Sequence, residues 1–225
     1  MSSAPTSYVD PATVSAAVFD LGGVLIGGGP REVVAFGERV GLSREAWEPL
    51  RRRLFDNASA WARLERGEIS FESFLDELKD VVRGAGGTVS DDEALTFLGT
   101  PRPLDGSAQT VRAEMIDAVA RLKAVMPTAL LTNNVREWRD GWRGILDLDG
   151  LFDVVVDSSE VGARKPEPAI YEITRQRLDV DHDGILFVDD IGQNLKVARG
   201  LGWQTLLYTE SGPVLEVIDQ VLDHR

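Results

Sequence analysis

The feature that most constrains the fold is a set of short apolar runs that end abruptly in polar residues. The first run spans residues 16–21, carries Asp20 near its end and is followed by two glycines. Continuous apolar runs of this length are typical of parallel strands that are buried on both faces of a sheet. Four later runs have the same character and cover residues 128–132, 152–157, 185–189 and 204–208.

Helical patterns separate the last four runs from one another, at residues 135–146, 166–178 and 193–200. Strands that alternate with helices of this length indicate successive βαβ units, in which the strands are parallel. The sequence therefore predicts an α/β fold, with a doubly wound parallel sheet between two layers of helices.

The stretch after the first run breaks this alternation. No strand is predicted there, and helical patterns cover residues 31–40, 43–66, 70–83 and 90–97. Ser90 and Glu93 have the spacing of a capping box at the start of the last of these helices. Glycine and proline residues punctuate both ends of the stretch, as in an insert on two hinges. We predict a core from residues 1–29 and 106–225, and a helical cap from residues 30–105.

Composition and charge exclude several classes of protein. The net charge of −13 argues against a nucleic-acid or anionic-membrane surface, since either would need a basic footprint. The absence of cysteine excludes thiolate nucleophiles and cysteine metal sites, and two histidines support neither a histidine metal cluster nor a Ser-His-Asp hydrolase. The start of the chain lacks the pattern of a signal peptide, and no apolar run approaches the ~18 residues of a membrane span. We expect a cytoplasmic protein.

Carboxylates stand at the ends of two predicted strands. Asp20 ends the first strand, and the adjacent Asp189 and Asp190 end the fourth. In open α/β sheets, ligands bind at the carboxyl ends of the strands. Three carboxylates at that edge predict a Mg²⁺ site, because this ion prefers oxygen ligands.

A hydroxyl and a lysine are placed to bind phosphate beside these carboxylates. Thr132 ends the second predicted strand, and Lys165 directly precedes a predicted helix. A phosphate held next to carboxylates needs an ammonium group and hydrogen-bond donors, and these two residues supply them.

Four motifs in this order resemble those of the haloacid dehalogenase superfamily: FDLGGVL, LLTNN, the lysine of GARKPEP, and FVDDIGQN. The resemblance runs from about residue 16 to residue 208. Within the superfamily, the chain is similar to the phosphatase domain at the N-terminus of bifunctional soluble epoxide hydrolases. The resemblance implies a Rossmann-like, three-layer core with an inserted helical cap, and Mg²⁺-dependent phosphoryl transfer through an aspartyl-phosphate.

The resemblance also implies the ligands of the metal. Asp20 would be both the nucleophile and a Mg²⁺ ligand. The carbonyl of Gly22 and the carboxylate of Asp190 would bind the ion directly, with Asp189 beside them. Asn194 would order the acidic loop.

The other matched positions would bind the substrate, a small phosphorylated metabolite. Thr132 and the following amide of Asn133 would hold the phosphoryl oxygens. Lys165 would neutralise Asp20 and the transferring group.

One position departs from the family pattern. Phosphatases of the family usually carry a second aspartate two residues after the nucleophile, where this chain has Gly22. That aspartate protonates the leaving oxygen and then activates water, and such general acid–base help is typically worth ~10²–10⁴-fold. The departure predicts a slow enzyme, unless a cap residue such as Glu65 or Asp56 supplies the acid.

Two alternatives remain open at this point. A 2-haloacid dehalogenase needs no acid for its halide leaving group, but it would leave the Asp189–Asp190 pair without a role because dehalogenases of this kind do not use Mg²⁺. A non-catalytic protein could keep the fold to bind phosphorylated ligands or a partner.

Overall fold

The residues that the structure describes form one six-stranded sheet with helices on both faces. A computed structural model describes residues 7–27, 32–56, 58–98 and 111–225 of the 225-residue chain. The strands, in chain order, are β1 Ser7–Tyr8, β2 Ala16–Phe19, β3 Thr128–Thr132, β4 Val154–Asp157, β5 Ile185–Asp189 and β6 Gln204–Leu207.

Twelve α-helices are found within the described residues, five of them between β2 and β3 and before residue 99. These five are α1 Glu32–Arg39, α2 Arg44–Phe55, α3 Ala60–Glu65, α4 Phe71–Gly84 and α5 Asp91–Leu98. The others are α6 Ala113–Lys123, α7 Arg139–Arg143, α8 Leu148–Leu151, α9 Ser158–Val161, α10 Pro168–Leu178, α11 Gly192–Gly200 and α12 Ser211–Leu222, with short 3-10 turns at Arg136–Trp138 and His182–Gly184.

The sheet has the spatial order β1-β6-β5-β2-β3-β4. Strands β2 to β6 are parallel, and β1 adds an antiparallel edge beside β6. The predicted parallel α/β sheet is therefore confirmed, and β1 was not predicted.

Each central strand is buried on both sides, which explains its continuous apolar sequence. Ala17 and Phe19 of β2 pack with α6 and α12 on one face of the sheet. Ala16 and Val18 pack with α10 and α11 on the other face. The side-chain period of two thus places alternate residues in two separate cores, as in a three-layer fold.

Helices α1 to α5, here called the helical segment (residues 32–98), have a hydrophobic cluster of their own. It is built from residues such as Leu54, Phe74 and Leu78, all fully buried. Among the described residues, Val135 is its only member from elsewhere in the chain, and the partly buried Trp138 packs against it. The predicted boundaries of the cap at residues 29–30 and 105–106 lie outside the described residues.

Two segments that are predicted to form single helices do not do so in the structure. The pattern over 43–66 breaks at Asp56, which is extended, and a new helix begins after the N-cap Ser59. The Ser59 hydroxyl caps this new helix by accepting from the N–H of Ala62 (3.3 Å). The pattern over 135–146 forms only the 3-10 turn and the short helix α7, whose C-cap is Gly144. Glycine disfavours continuation of a helix.

Other helix predictions are confirmed to within a few residues. Ser90 accepts from Glu93 N–H (3.2 Å), and the Glu93 carboxylate accepts from Ser90 N–H (2.8 Å), so the capping box forms. Helices α6 and α12 were not predicted. In the described part of the chain, none of the helices has the length and apolar character needed to cross a membrane.

Candidate active site

Asp20 lies directly after β2, at the carboxyl end of the central strand. Its backbone N–H donates to the carbonyl of Val188 in β5 (3.0 Å), and its Oδ1 accepts from the N–H of Leu21 (2.7 Å). From β2 the sheet is built outward through β3 and β4, and then on the opposite side through β5 and β6. Asp20 therefore sits where the strand order reverses, which is where open α/β sheets bind ligands.

Lys165 is the positive charge of this site. Its Nζ lies 2.8 Å from Asp20 Oδ1 and 2.8 Å from Asp189 Oδ2, and its side chain is only 2% exposed. Burial opposes the charged form, but the two carboxylates outweigh it and raise the pKa of Lys165. The lysine therefore stays protonated and holds two strand ends together.

Asp189 is held by its own loop as well as by Lys165. Its Oδ1 accepts from the N–H of Ile191 (2.7 Å), and both of its oxygens accept from Asn194 Nδ2 (3.1 Å each). The residue is completely buried. The geometry thus brings Asn194 to the acidic loop, as the sequence predicted.

Asp190 completes a cluster of three carboxylates. Asp20, Asp189 and Asp190 offer carboxylate oxygens that all lie within 4.8 Å of one another. Burial raises the pKa of Asp190, with repulsion from Asp189 as the next cause. The glycine turn after β2 packs against this carboxylate: a Cβ on Gly23, which has a φ of +81°, would lie 2.2 Å from Asp190 Oδ2.

The same surroundings affect the ionisation of Asp20. Burial raises its pKa to about 7, with repulsion from Asp189 and Asp190 as further causes and Lys165 acting in the opposite direction. One ammonium therefore does not balance the negative charge collected at this point.

Thr132 is the last residue of β3, the strand beside β2, and Asn133 directly follows it. Thr132 is 2% exposed. The Asn133 side chain forms a reciprocal pair with the backbone of Lys165: its Nδ2 donates to Lys165 O (2.9 Å), and its Oδ1 accepts from Lys165 N–H (2.8 Å). The sequence prediction had concerned only the backbone amide of Asn133, so this role of its side chain was missed.

Gly22 leaves open the position of the usual second aspartate. No atom lies within 4 Å of a Cβ built there, and φ is not in the left-handed region. Of the two cap residues considered as a substitute acid, Asp56 is exposed at the end of α2. Glu65 is buried instead, and its Oε2 lies 2.5 Å from Arg164 Nε.

Arg164 itself was not predicted as part of the site. It precedes Lys165 in the chain and contacts Glu65, from which it is separated by 99 positions. The sequence places two charged residues, Arg164 and Glu167, on either side of Lys165, but it does not indicate which residues they pair with.

Comparison with known proteins gives several relatives that are similar to part of this chain. The chain is 33% identical over 152 residues to acyl-CoA dehydrogenase family member 10 of Mus musculus, covering 67% of this chain and 14% of that protein. It is 34% identical over 121 residues to bifunctional epoxide hydrolase 2 of Rattus norvegicus, covering 51% of this chain and 22% of that protein. The chain thus corresponds to only a small part of these relatives.

One relative of similar length and one solved structure match most of the chain. The sesquiterpene phosphatase astK of Aspergillus oryzae is 26% identical over 215 residues, which are 88% of this chain and 92% of that protein. A HAD-family enzyme from Bacteroides thetaiotaomicron, solved with magnesium and inorganic phosphate, superposes with a TM-score of 0.64 at 21% identity, covering 90% of this chain and 98% of the other. At that identity the likeness shows the fold alone.

The family profile of the haloacid dehalogenase-like hydrolases matches residues 14–202, which include β2 to β5 and every residue of the site described above. The resemblance expected from the four motifs, including that to the epoxide hydrolases, is confirmed. The chain belongs to the haloacid dehalogenase-like hydrolase family.

Proposed function

We propose that this chain is a Mg²⁺-dependent phosphatase, which acts on a small organic phosphate through an aspartyl-phosphate on Asp20. The observation that carries the proposal is the position of the Asp20 carboxylate, at the switch point of the sheet and within 2.8 Å of the Lys165 ammonium. Nucleophilic attack on a phosphate monoester requires a nucleophile with a positive charge beside it, and Asp20 and Lys165 supply these two groups.

The carboxylate cluster fits a Mg²⁺ ion by its donor set and its charge. Asp20, Asp189 and Asp190 bring three carboxylates, and Lys165 ion-pairs with only two of them, Asp20 and Asp189, among the described residues. Oxygen donors and uncompensated negative charge are what Mg²⁺ requires. The ion would supply charge neutralisation between the nucleophile and the phosphate. Asp20, Asp190 and the Gly22 carbonyl would hold it, with Asp189 beside them.

Asp20 would attack through Oδ2. Both hydrogen-bond donors that reach the carboxylate in the described residues, Leu21 N–H and Lys165 Nζ, bind Oδ1. Oδ2 therefore keeps its lone pairs for the bond to phosphorus, while the bond from phosphorus to the leaving oxygen breaks. Water would then attack the aspartyl-phosphate, releasing inorganic phosphate and restoring the carboxylate.

Three residues would stabilise the transferring phosphoryl group. The Thr132 hydroxyl and the Asn133 backbone amide would donate hydrogen bonds to its oxygens, and Lys165 would neutralise its charge together with that of Asp20. The reciprocal pair between Asn133 and Lys165 supports this assignment, because it joins the donor loop to the lysine within 2.9 Å.

The leaving oxygen would depart without the usual aspartic acid. Gly22 offers no side chain, so the reaction should be fastest for leaving groups of low pKa, such as aryl or acyl phosphates. The similarity to the sesquiterpene phosphatase of Aspergillus oryzae, which extends over 88% of this chain, supports phosphate release as the reaction class.

The open position at Gly22 also favours a second candidate function, a protein that binds phosphorylated ligands without turnover. A dehalogenase is less consistent with the site, because it would leave the Asp190 carboxylate without a role.

The test is hydrolysis of an aryl phosphate, with Mg²⁺ and with EDTA, by the native protein and by Asp20→Asn. We expect release that requires Mg²⁺ and that disappears in the variant, because an amide cannot form the acyl-phosphate. Halide release from a 2-haloacid without metal would establish the dehalogenase instead. Phosphate binding with no release above the variant would establish the binding protein.

A further inference from the structure

The residues that flank Lys165 on either side are both held by the helical segment. Arg164 precedes the lysine, and its Nε lies 2.5 Å from Glu65 Oε2 at the end of α3. Glu167 follows it, and its Oε1 accepts from Arg66 Nη1 (2.7 Å). Glu65 and Arg66 are adjacent in the helical segment. Glu65 thus pairs with Arg164 on one side of the lysine, and Arg66 pairs with Glu167 on the other.

The two ion pairs differ in exposure, and both are substantially shielded from water. The side chains of Glu65 and Arg164 are 10% and 11% exposed, while those of Arg66 and Glu167 are 16% and 33% exposed. Shielded pairs with good geometry fix the groups that they join more strongly than exposed pairs do. We call the four residues Glu65, Arg66, Arg164 and Glu167 the latch.

Further contacts bring the same part of the helical segment against a second loop of the core. Arg136 Nη2 donates to Gly67 O (3.4 Å) and to Ser159 O (3.3 Å), and Glu137 Oε1 accepts from the N–H of Phe71 (2.8 Å). A Cβ on Gly67 would lie 2.7 Å from Ser159 O, so only glycine permits this approach.

The latch is connected to the lysine through short covalent and hydrogen-bonded paths. Glu167 Oε2 accepts from Arg164 N–H (3.2 Å), and Glu167 N–H donates to Arg164 O (2.7 Å). These bonds close a tight turn with Lys165 inside it. A displacement of Arg66 or Glu65 would therefore move the backbone from which the Lys165 ammonium reaches Asp20.

We propose that Glu65 and Arg66 are positioning residues for Lys165: through the latch, docking of the helical segment holds the lysine in place against Asp20. This inference rests on the proposed function, since it assigns Lys165 a role in the reaction. It makes the attachment of the helical segment a condition for a correctly formed phosphate site.

The first experiment breaks the more exposed ion pair, because removal of the buried Glu65 partner could prevent folding. Arg66→Glu places an acid against Glu167. Arg66→Lys keeps the positive charge against Glu167, and it leaves in place the Glu167 carboxylate that accepts from Arg164 N–H. The matched control is Arg121→Glu, since Arg121 pairs with Asp219 at the same distance of 2.7 Å but joins α6 to α12 within the core.

Two readouts are measured on each variant. The first is kcat and KM for an aryl phosphate with Mg²⁺. We expect kcat to fall by about 10- to 100-fold in Arg66→Glu, the range that a displacement of ~1 Å costs a catalytic group. Arg66→Lys should retain most of the native kcat, and Arg121→Glu should change kcat by less than about twofold, as for an ordinary exposed pair.

The second readout is amide hydrogen exchange of the segment 159–167, which requires no activity. The bonded N–H groups of Arg164, Lys165 and Glu167 should exchange faster in Arg66→Glu and as in the native protein in Arg121→Glu. Unchanged exchange and unchanged kcat in Arg66→Glu would overturn the latch, as would an Arg66→Lys variant that loses as much kcat as Arg66→Glu does. A native protein without phosphate release would instead overturn the proposed function, while exchange would still decide whether the latch holds this loop.

Discussion

The two charged clusters that meet at Lys165 differ in their balance. In the latch, each carboxylate has an arginine partner, Glu65 with Arg164 and Glu167 with Arg66. The site has three carboxylates and one lysine, which pairs with Asp20 and Asp189. Among the described residues, Asp190 has no cation within ion-pair distance. A balanced cluster holds parts of a protein together by itself, whereas an unbalanced one is complete only when another cation or a proton joins it.

The largest expected effect comes from removing the lysine that both clusters surround. Lys165→Met should lower the free energy of unfolding by about 3–5 kcal/mol and abolish activity, because buried carboxylates lose their charge partner. The loss should be smaller at pH 5.5 than at pH 8, since Asp20 can take up a proton at the lower pH. Urea unfolding at both pH values measures this loss of unfolding free energy.

Lys123→Met is the matched control for that change. Lys123 pairs with Asp153, and their side chains are 25% and 45% exposed. Its loss should cost about 1 kcal/mol or less. Equal destabilisation by the two substitutions would show that the buried ion pairs of Lys165 contribute no more stability than the more exposed pair of Lys123.

A smaller effect is expected from magnesium itself, and it should depend on pH. The pKa of Asp20, about 7 in the folded protein, lies above its ordinary value of 3.8. Without metal, the stability contributed by its protonated form is therefore present at low pH and is lost as the pH rises through about 7. Magnesium should replace that proton and stabilise the protein by about 3 kcal/mol at 100 times its Kd at pH 8, and by clearly less at pH 5.5.

Thermal melting with MgCl2, against KCl at matched ionic strength, measures this difference. Asp190→Asn should remove most of the gain at pH 8, because it removes a proposed ligand. A gain that is the same at both pH values, or that survives in Asp190→Asn, would contradict a metal bound by this cluster.

The smallest effect on stability is expected at the open position beside the cluster. Gly22→Asp should change the free energy of unfolding by about 0.5 kcal/mol or less, because Gly22 is exposed and its added Cβ meets no atom within 4 Å. It should nevertheless raise kcat on alkyl phosphates by about 10²-fold, the lower end of general acid catalysis, and raise it less on aryl phosphates.

Gly22→Asn is the control, since the amide has the same shape but is not an acid. A similar gain in both variants, or an equal gain on alkyl and aryl phosphates, would mean that proton donation to the leaving group does not limit the native rate.

The strand ends could be predicted from the sequence because topology alone brings them together. Asp189 is the last residue of β5, and Asp20 and Asp190 directly follow β2 and β5. The carboxyl ends of parallel strands meet at one edge whatever the details of packing. The same reasoning brought Thr132 to that edge. No knowledge of individual side-chain contacts was needed for these residues.

The latch could not be predicted in this way. Glu65 and Arg164 are 99 positions apart, and their pairing depends on how the helical segment docks on the core. The side-chain role of Asn133 was missed for a related reason, because its partner is the backbone of a residue 32 positions away. The break at Asp56 was missed since the apolar period continues through it, whereas the backbone of Asp56 is extended and Ser59 caps a new helix.

The short strand β1 has a consequence for how this protein behaves at high concentration. It pairs antiparallel with β6, and just beyond it the N–H of Asp10 donates to Gln204 Oε1 (2.7 Å). Without it, β6 would end the sheet with a row of unpaired backbone groups, which is the surface on which strands of other molecules add. Two residues of backbone therefore make the addition of a foreign strand at β6 less favourable, while β4 forms the opposite edge of the sheet.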